Sequence, residues 1–185
     1  MIPNTASLAE RLANSVVEIR TQRGNGTGIV WGGGLIVTNA HCAPGGDVHV
    51  TLGGTSLTGE LVAHARDHDL ALVRINSMRG TPLELRSVSS ARVGELVFAH
   101  GHPLGIRDSL AMGVIHTVAR HPRSREPRFI VADVRLAPGN SGGPLVDAEG
   151  RLLGVNSMVV NGLGVAIPTD AVVRFIERAR AKRVA

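Results

Sequence analysis

Gly139-Asn140-Ser141-Gly142-Gly143-Pro144 is the stretch around which the rest of the chain is organised. Asn140 and its flanking glycines suit a tight turn, because Gly, and less readily Asn, tolerates left-handed backbone angles. Such a turn pushes a serine Oγ into the open. It also aims the serine's own N–H and that of Gly139 at one spot. An exposed hydroxyl beside two convergent N–H donors is the arrangement that acyl transfer requires. The competing reading of these residues is a glycine-rich hairpin loop with an idle serine. The difference turns on whether the chain also supplies a base and an acid.

It supplies both. Thr38-Asn39-Ala40-His41-Cys42 follows the apolar run Leu35-Ile36-Val37, and Asp69 directly precedes Leu70-Ala71-Leu72-Val73. A serine hydroxyl is a weak nucleophile at its own pKa. It needs an imidazole to take its proton, and a carboxylate to fix the imidazole's tautomer. The chain order His41, Asp69, Ser141 is that of chymotrypsin, and neither that of subtilisin nor that of the α/β-hydrolases. Asp69 is preferred to Asp67 because its apolar neighbours bury it where it can meet an imidazole. Asp67 reads as a solvated turn residue. The expected roles are His41 as general base, Asp69 as its orienting acid and Ser141 as nucleophile, with the oxyanion held at Gly139, Asn140 and Ser141. No metal or cofactor is expected. His64 and His68 stand four apart, but in a strand-and-turn context where helical ligand spacing does not apply.

Taken together these motifs resemble the HtrA/Deg (Do-like) branch of the trypsin-like serine proteases. The resemblance is carried by Gly26-Thr27-Gly28, the runs 38–41 and 69–72, and Gly101-His102-Pro103-Leu104-Gly105. Asp133 with residues 138–144, Gly154-Val155-Asn156, and Gly164-Val165-Ala166-Ile167-Pro168 continue it. It implies an all-β fold, two perpendicular six-stranded antiparallel β-barrels of the chymotrypsin type, with the triad in the cleft between them. The barrels are expected at residues 15–80 and 92–168, followed by a C-terminal helix at 169–183, all in one protease domain.

The resemblance further implies a serine endopeptidase acting on unfolded or extended polypeptides. By family position, Leu136, Val155, Asn156, Ser157 and Val165 bind substrate, and Leu136 with the strand Val155-Asn156-Ser157-Met158 lines a small apolar pocket. No aspartate stands at its floor. Cleavage after Val, Ala, Ile or Leu is therefore expected, since burying aliphatic surface is worth about 0.8 kcal/mol per CH₂. Arg135, beside that floor, either points outward or intrudes. The chain departs from the family at His102, where Asn usually precedes the proline, and at Ala137, where many relatives have Asn. The first departure is expected to tune its loop without touching the chemistry. Relatives are commonly trimeric, and many continue into a PDZ domain, of which this chain shows no trace. The rival reading is a latent or inactive protease-fold module that binds extended peptides.

Composition agrees with a folded domain. The 185 residues are 43% hydrophobic and 19% charged, enough for a sizeable core. Aromatic residues make up only 2%, so the core must be built from Val, Leu, Ile and Ala. The formal charge is +5, and Lys182 is the only lysine. Nucleic-acid binding is not expected, because the aromatic stacking residues are missing. Cys42 is the only cysteine, so no internal disulfide forms. No stretch approaches the roughly 20 apolar residues of a membrane span. Residues 1–20 lack a signal-peptide pattern. The chain as it stands reads as cytoplasmic, and as extracytoplasmic if an export segment has been removed.

Strand-like runs occur at residues 15–21, 28–31, 35–38, 48–52, 56–65 and 70–75, then at 93–100, 112–119, 128–133, 152–160 and 163–167. A short helix over 8–14 is expected, capped by Thr5 or Ser7, with Glu10 completing a capping box. Residues 77–92 read as the link between barrels. His100 and His102 read as structural or surface residues. The loop bearing Arg120, His121, Arg123 and Arg125 reads as a solvated tip, with a partner-sensing role in relatives as the alternative. The last helix is expected to turn Val172, Val173, Phe175 and Ile176 to the barrel.

Overall fold

The computed structural model describes residues 4–22, 24–77, 79–120 and 127–184. His121, Arg123 and Arg125 lie outside the described residues. Among the described residues, twelve strands close into two six-stranded barrels. The first comprises β1 (Val16–Thr21), β2 (Gly24–Gly32), β3 (Leu35–Thr38), β4 (Val48–Leu52), β5 (Thr55–Ala65) and β6 (Leu70–Arg74), in the order β1-β2-β3-β6-β5-β4. The second comprises β7 (Leu96–Gly101), β8 (Ser109–Arg120), β9 (Pro127–Asp133), β10 (Pro144–Asp147), β11 (Leu152–Val160) and β12 (Leu163–Pro168), in the order β10-β11-β12-β9-β8-β7. Every pairing is antiparallel. Closure leaves neither sheet with an open edge.

β-branched and aliphatic residues carry the strands, as the low aromatic content requires. Val17, Ile19, Ile36, Val48, Val50 and Val73 fill the first barrel, and Val97, Ile115, Ile130, Leu145 and Leu153 the second. A third cluster spans both. It joins Ile29, Val37, Leu70 and Leu72 from the first barrel to Phe98, Val146, Val155 and Ile167 from the second. Each such side chain, fully buried, contributes about 1.5–3 kcal/mol.

Two helices seal this shared core. Helix α1 (Thr5–Ala13) buries Leu8 and Leu12, four residues apart on one face, in it. Its cap is not Thr5 or Ser7. Asn4 stands at the N-cap and its Oδ1 accepts the Ser7 N–H at 3.1 Å, so the helix starts three residues earlier than the Ser7/Glu10 pattern predicts. Helix α2 (Thr169–Val184) buries Val172 and Ile176 in the same core, with Phe175 half-buried against it. Asp170 in its first turn accepts the Ser87 hydroxyl and the Val88 N–H, both at 2.9 Å, and so ties the inter-barrel link to the helix. β10 was not apparent from the sequence. It is four residues long and opens on Pro144, a position a strand tolerates because its first N–H need not be donated.

Candidate active site

The first barrel supplies an imidazole and a carboxylate. β3 ends at Thr38, and the chain turns at once, with the Cys42 and Ala43 amides donating to the Asn39 carbonyl. That turn presents His41. Asp69 follows a single 3-10 turn, Arg66–His68, and closes it in the left-handed region at φ 50°, ψ 43°. Aspartate tolerates this conformation better than most residues. Asn39 Nδ2 donates to the Asp69 carbonyl at 2.9 Å and locks the two loops together. His41 Nδ1 then lies 2.9 Å and 3.0 Å from the two Asp69 carboxylate oxygens, and the His41 amide donates to Oδ1 at 3.2 Å. Because a carboxylate accepts, Nδ1 carries the proton. Asp67 is exposed, as its reading as a turn residue requires.

These contacts shift both groups. The hydrogen bond to Asp69, with the Cys42 thiol adding to it, pushes His41 up from 6.5 to about 10 against the opposing effect of burial. Burial would raise Asp69, but hydrogen bonds from His41 and Ser157 outweigh it and hold the carboxyl below its usual value.

The second barrel supplies the hydroxyl. Residues 138–143 form a tight turn in which Gly139 (φ 104°) and Gly142 (φ 85°) take angles that favour glycine. A Cβ on Gly142 would overlap the Thr27 carbonyl, and one on Gly139 would stand 2.6 Å from the His102 carbonyl. The amides of Asn140, Gly142 and Gly143 donate to the carbonyls of Ala137, Asn156 and Asn140. Among the described residues, no acceptor faces the amides of Gly139 and Ser141. The Asn140 amide is taken up in closing the turn, on the Ala137 carbonyl at 3.0 Å, and its side chain is buried. The Pro138 carbonyl is drawn aside by the Leu104 amide at 2.9 Å.

Ser157 connects the two halves. Asn156 pairs with Ala166 and Met158 with Val165, so Ser157 is the extra residue of a β-bulge in β11. A bulged residue leaves the ladder and re-aims its groups. Its hydroxyl donates to Asp69 Oδ2 at 2.6 Å, and its carbonyl accepts the Ser141 hydroxyl at 3.1 Å. Ser141 thus directs its proton to Ser157 and not to His41.

A cavity of about 510 Å³ opens beside Ser141, walled by Leu136, Ala137, Pro138, Met158 and Val159. Leu136 leans on β12, where the missing side chain of Gly164 leaves room for it. Arg135 is exposed and does not line the cavity. The expected substrate-binding residues divide. Leu136 lines the cavity, whereas Ser157 is buried and meets its lining through the Ser141 hydroxyl. Val155 is wholly buried in the shared core. Asn156 is buried beneath the turn with its Nδ2 on the Pro144 carbonyl at 2.9 Å. Val165 is buried opposite Val131 and Met158. Met158, expected in the pocket wall, does line the cavity, and with Val159 it offers the exposed apolar surface there.

Thr27 carries a role that its motif did not reveal. From β2 it reaches into the second barrel: its amide donates to the Ser141 carbonyl at 2.8 Å and its hydroxyl to the Gly139 carbonyl at 2.6 Å. Its Oγ1 accepts the His102 amide at 3.1 Å. The signal was Gly26 beside it, since a Cβ there would stand 2.6 Å from Cys42 Sγ. The His102 segment therefore does bear on the site, through its main chain. His100 and His102 are both buried, and burial drives His100 down to about 4 and lowers His102. His64 Nε2 contacts the Ala40 carbonyl at 3.2 Å. Among the described residues no cluster of three or more His, Cys, Asp or Glu is arranged to hold a metal, and no helix is long and apolar enough to cross a membrane.

Comparison with known proteins gives a consistent picture. The model of the trypsin-like peptidase domain matches residues 26–155. The mitochondrial serine protease HTRA2 of Drosophila grimshawi is 38% identical over 170 residues, which cover 86% of this chain and 40% of that protein. The chloroplastic protease Do-like 1 of Arabidopsis thaliana is 33% identical over 193 residues, covering 96% and 44%. The solved structure of the HtrA-type protease AlgW with a tripeptide superposes with a TM-score of 0.86 at 29% identity, over 95% of this chain and 63% of that one. The chain thus spans about two fifths of the length of the curated relatives it matches.

Proposed function

The chain belongs to the trypsin-like serine peptidases of HtrA type, and from that membership we propose that it is an endopeptidase that cuts extended polypeptides through His41, Asp69 and Ser141. The observation that carries this reading is His41 Nδ1 held between both oxygens of Asp69, which leaves Nε2 as the proton acceptor. A peptide entering the cleft draws the Ser141 hydroxyl from the Ser157 carbonyl. Ser141 Oγ attacks the scissile carbonyl carbon as Nε2 takes its proton. The oxygen that becomes negative meets the free amides of Gly139 and Ser141. Removing one such donor elsewhere costs about 2.7–4 kcal/mol. Nε2 then gives its proton to the leaving amine, and the acyl-enzyme forms on Ser141. Water, activated by the same imidazole, releases the acid. The Leu136, Met158 and Val159 walls favour Val, Ala, Ile or Leu before the cut.

One observation favours a second reading, a latent form of the same enzyme. The Ser141 hydroxyl donates to the Ser157 carbonyl, not to His41, and the hydrogen bond to Asp69 pushes His41 up to about 10. In that state the base is not free. Cleavage of casein by the protein and by Ser141→Ala separates the readings. Cutting that disappears in the variant supports constitutive proteolysis. Absence of cutting by both, together with fluorophosphonate labelling at Ser141, supports the latent enzyme. Absence of labelling as well leaves only a peptide-binding module and rejects the proposal.

A further inference from the structure

Two imidazoles belong to the segment packed on the Ser141 turn. The His100 carbonyl lies against Gly143 and the His102 carbonyl against Gly139. Their rings are 0% and 4% exposed. Among the described residues, neither ring nitrogen of His100 has a hydrogen-bond partner, and nor has Nε2 of His102. His102 Nδ1 accepts the Asp108 amide at 3.2 Å, which leaves the ring proton on Nε2. The two rings meet edge to face, 6.3 Å apart. The charged groups that act on them come from two elements. Asp108 and Arg107 lie in the loop that follows, and Glu18, shared by Arg20 and Arg107, comes from β1. Burial outweighs the pull of Asp108 and Glu18 on a proton, with Arg107 and the neighbouring imidazole adding to it, and favours the neutral form of both rings.

The same segment holds the turn. The His102 amide donates to Thr27 Oγ1, whose hydroxyl donates to the Gly139 carbonyl, and the Leu104 amide donates to the Pro138 carbonyl. Leu104 (φ 53°) and Asp108 (φ 55°) both sit in the left-handed region. A bulky side chain such as leucine adopts that region only where its surroundings impose it. Leu104 is 73% exposed, so little packing adds to its hydrogen bond. A proton on His100 is a buried charge with no acceptor, which is costly. A proton on His102 sets an Nδ1–H against the Asp108 N–H and breaks that bond. Water relieves both. We propose that His100 and His102 form an acid-sensitive latch: proton uptake by the pair drives residues 102–108 off the turn, frees the Pro138–Gly139 peptide and switches the site off. The switching rests on the endopeptidase reading of the site, and the release of the segment does not. Because burial lowers both groups, the held state is favoured in full above 6.5 and loses ground as pH falls towards about 4. For His100 alone, release gains roughly twentyfold between pH 7 and pH 5.

The test follows amide hydrogen exchange in the Ser141→Ala protein at pH 7 and pH 5, with rates corrected for the intrinsic effect of pH. The Leu104 amide is expected to lose protection roughly twentyfold at the lower pH, while the amides of β3 and β6 keep theirs. In His100→Leu/His102→Asn, where the asparagine Oδ1 takes over the Asp108 amide, that loss is expected to vanish. Equal protection of Leu104 at both pH values, the same loss in the double variant, or a parallel loss throughout the first barrel would each overturn the latch. NMR titration of the two rings in the unaltered protein keeps the test decisive if the double variant does not fold. Midpoints below 6.5, coincident with the loss at Leu104, are expected, and midpoints at or above 6.5 contradict the latch. Fluorophosphonate labelling of Ser141 then tests the switching. Protonation of His41 slows labelling in every variant, so a steeper fall on acidification in the unaltered protein than in the double variant is expected, and equal falls overturn the switching. Absence of labelling at every pH strikes the endopeptidase reading, and the amides alone then decide the latch.

Discussion

The hydroxyl of Ser157 donates to Asp69 Oδ2 at 2.6 Å, bridging from the bulge of one barrel to the acid of the other. The carbonyl of the same residue holds the hydroxyl of Ser141. Asp69 and Ser141 are therefore both bonded to one bulged serine.

Ser157→Ala removes the bond to Asp69 and keeps the carbonyl. A hydrogen bond to a charged group is worth about 1.5–3 kcal/mol, so kcat on an aliphatic peptide substrate is expected to fall roughly 10- to 100-fold with KM little changed. Steady-state kinetics check this. A kcat within about twofold of wild type would show that Asp69 is held well enough by His41 and the backbone.

The raised pKa of His41 sets the pH profile. On the proposed mechanism His41 works as the unprotonated base, so activity is expected to climb through neutrality towards about 10. Asp69→Asn removes the main cause of the shift. The titration midpoint should move back towards 6.5, and the rate should fall by roughly 10⁴ as the tautomer is lost. NMR titration of the His41 ring measures the midpoint directly, and a wild-type value at or below 6.5 would contradict the geometry. The stability linkage has a definite sign. Because the folded pKa lies above 6.5, His41 adds stability that is complete below 6.5 and lost as pH rises through about 10.

Thr27→Val keeps the shape of the side chain and removes its oxygen. The Gly139 carbonyl and the His102 amide then lose their partner, at about 1–3 kcal/mol for each buried group left unpaired. Denaturant unfolding should show that loss, and fluorophosphonate labelling should slow as the turn loosens. Thr27→Ser is expected to restore both. Unaltered labelling in Thr27→Val would mean that the turn holds its shape without this contact.

Leu136→Ala deepens the cavity beside Ser141. Pockets of this kind discriminate by about 1–3 kcal/mol per methylene. Casein cut sites, mapped by mass spectrometry, should move from Val and Ala towards Leu, Met and Phe. An unchanged set of cut sites would place the specificity elsewhere than at Leu136.

The sequence carried much of this arrangement, for reasons that differ by residue. His41 and Asp69 were legible because each sits at the edge of a strand signal, and Ser141 because glycines enclose it; the structure brings His41 onto Asp69 and links Asp69 to Ser141 through Ser157. Eleven of the strands were readable because alternating or continuous Val, Ile and Leu runs declare them. β10 was hidden because Pro144 and the glycines before it look like loop. The start of α1 was hidden because Ser7 and Glu10 imitate a capping box, while the burial of Leu8 and Leu12 requires the helix to begin earlier. Ser157 and Thr27 act through contacts between residues 88 and 112 positions apart. A bulge and a threonine hydroxyl leave no periodic trace, so neither role is visible before the barrels are brought together. Val155 and Asn156 were expected at the pocket by family position; both are buried, Val155 in the shared core and Asn156 against the Pro144 carbonyl.

The cluster that joins Ile29 and Leu70 to Phe98 and Ile167 makes the cleft a seam and not a joint. A joint would let the halves swing, and a substrate could be gripped by their closing. A seam glued by aliphatic side chains cannot open without exposing them to water. The halves should therefore melt together, and neither should survive if the chain is cut in the link between them. Any movement that governs this site is confined to the loops along the seam, where the turn at Ser141 meets Thr27 and the bulge at Ser157.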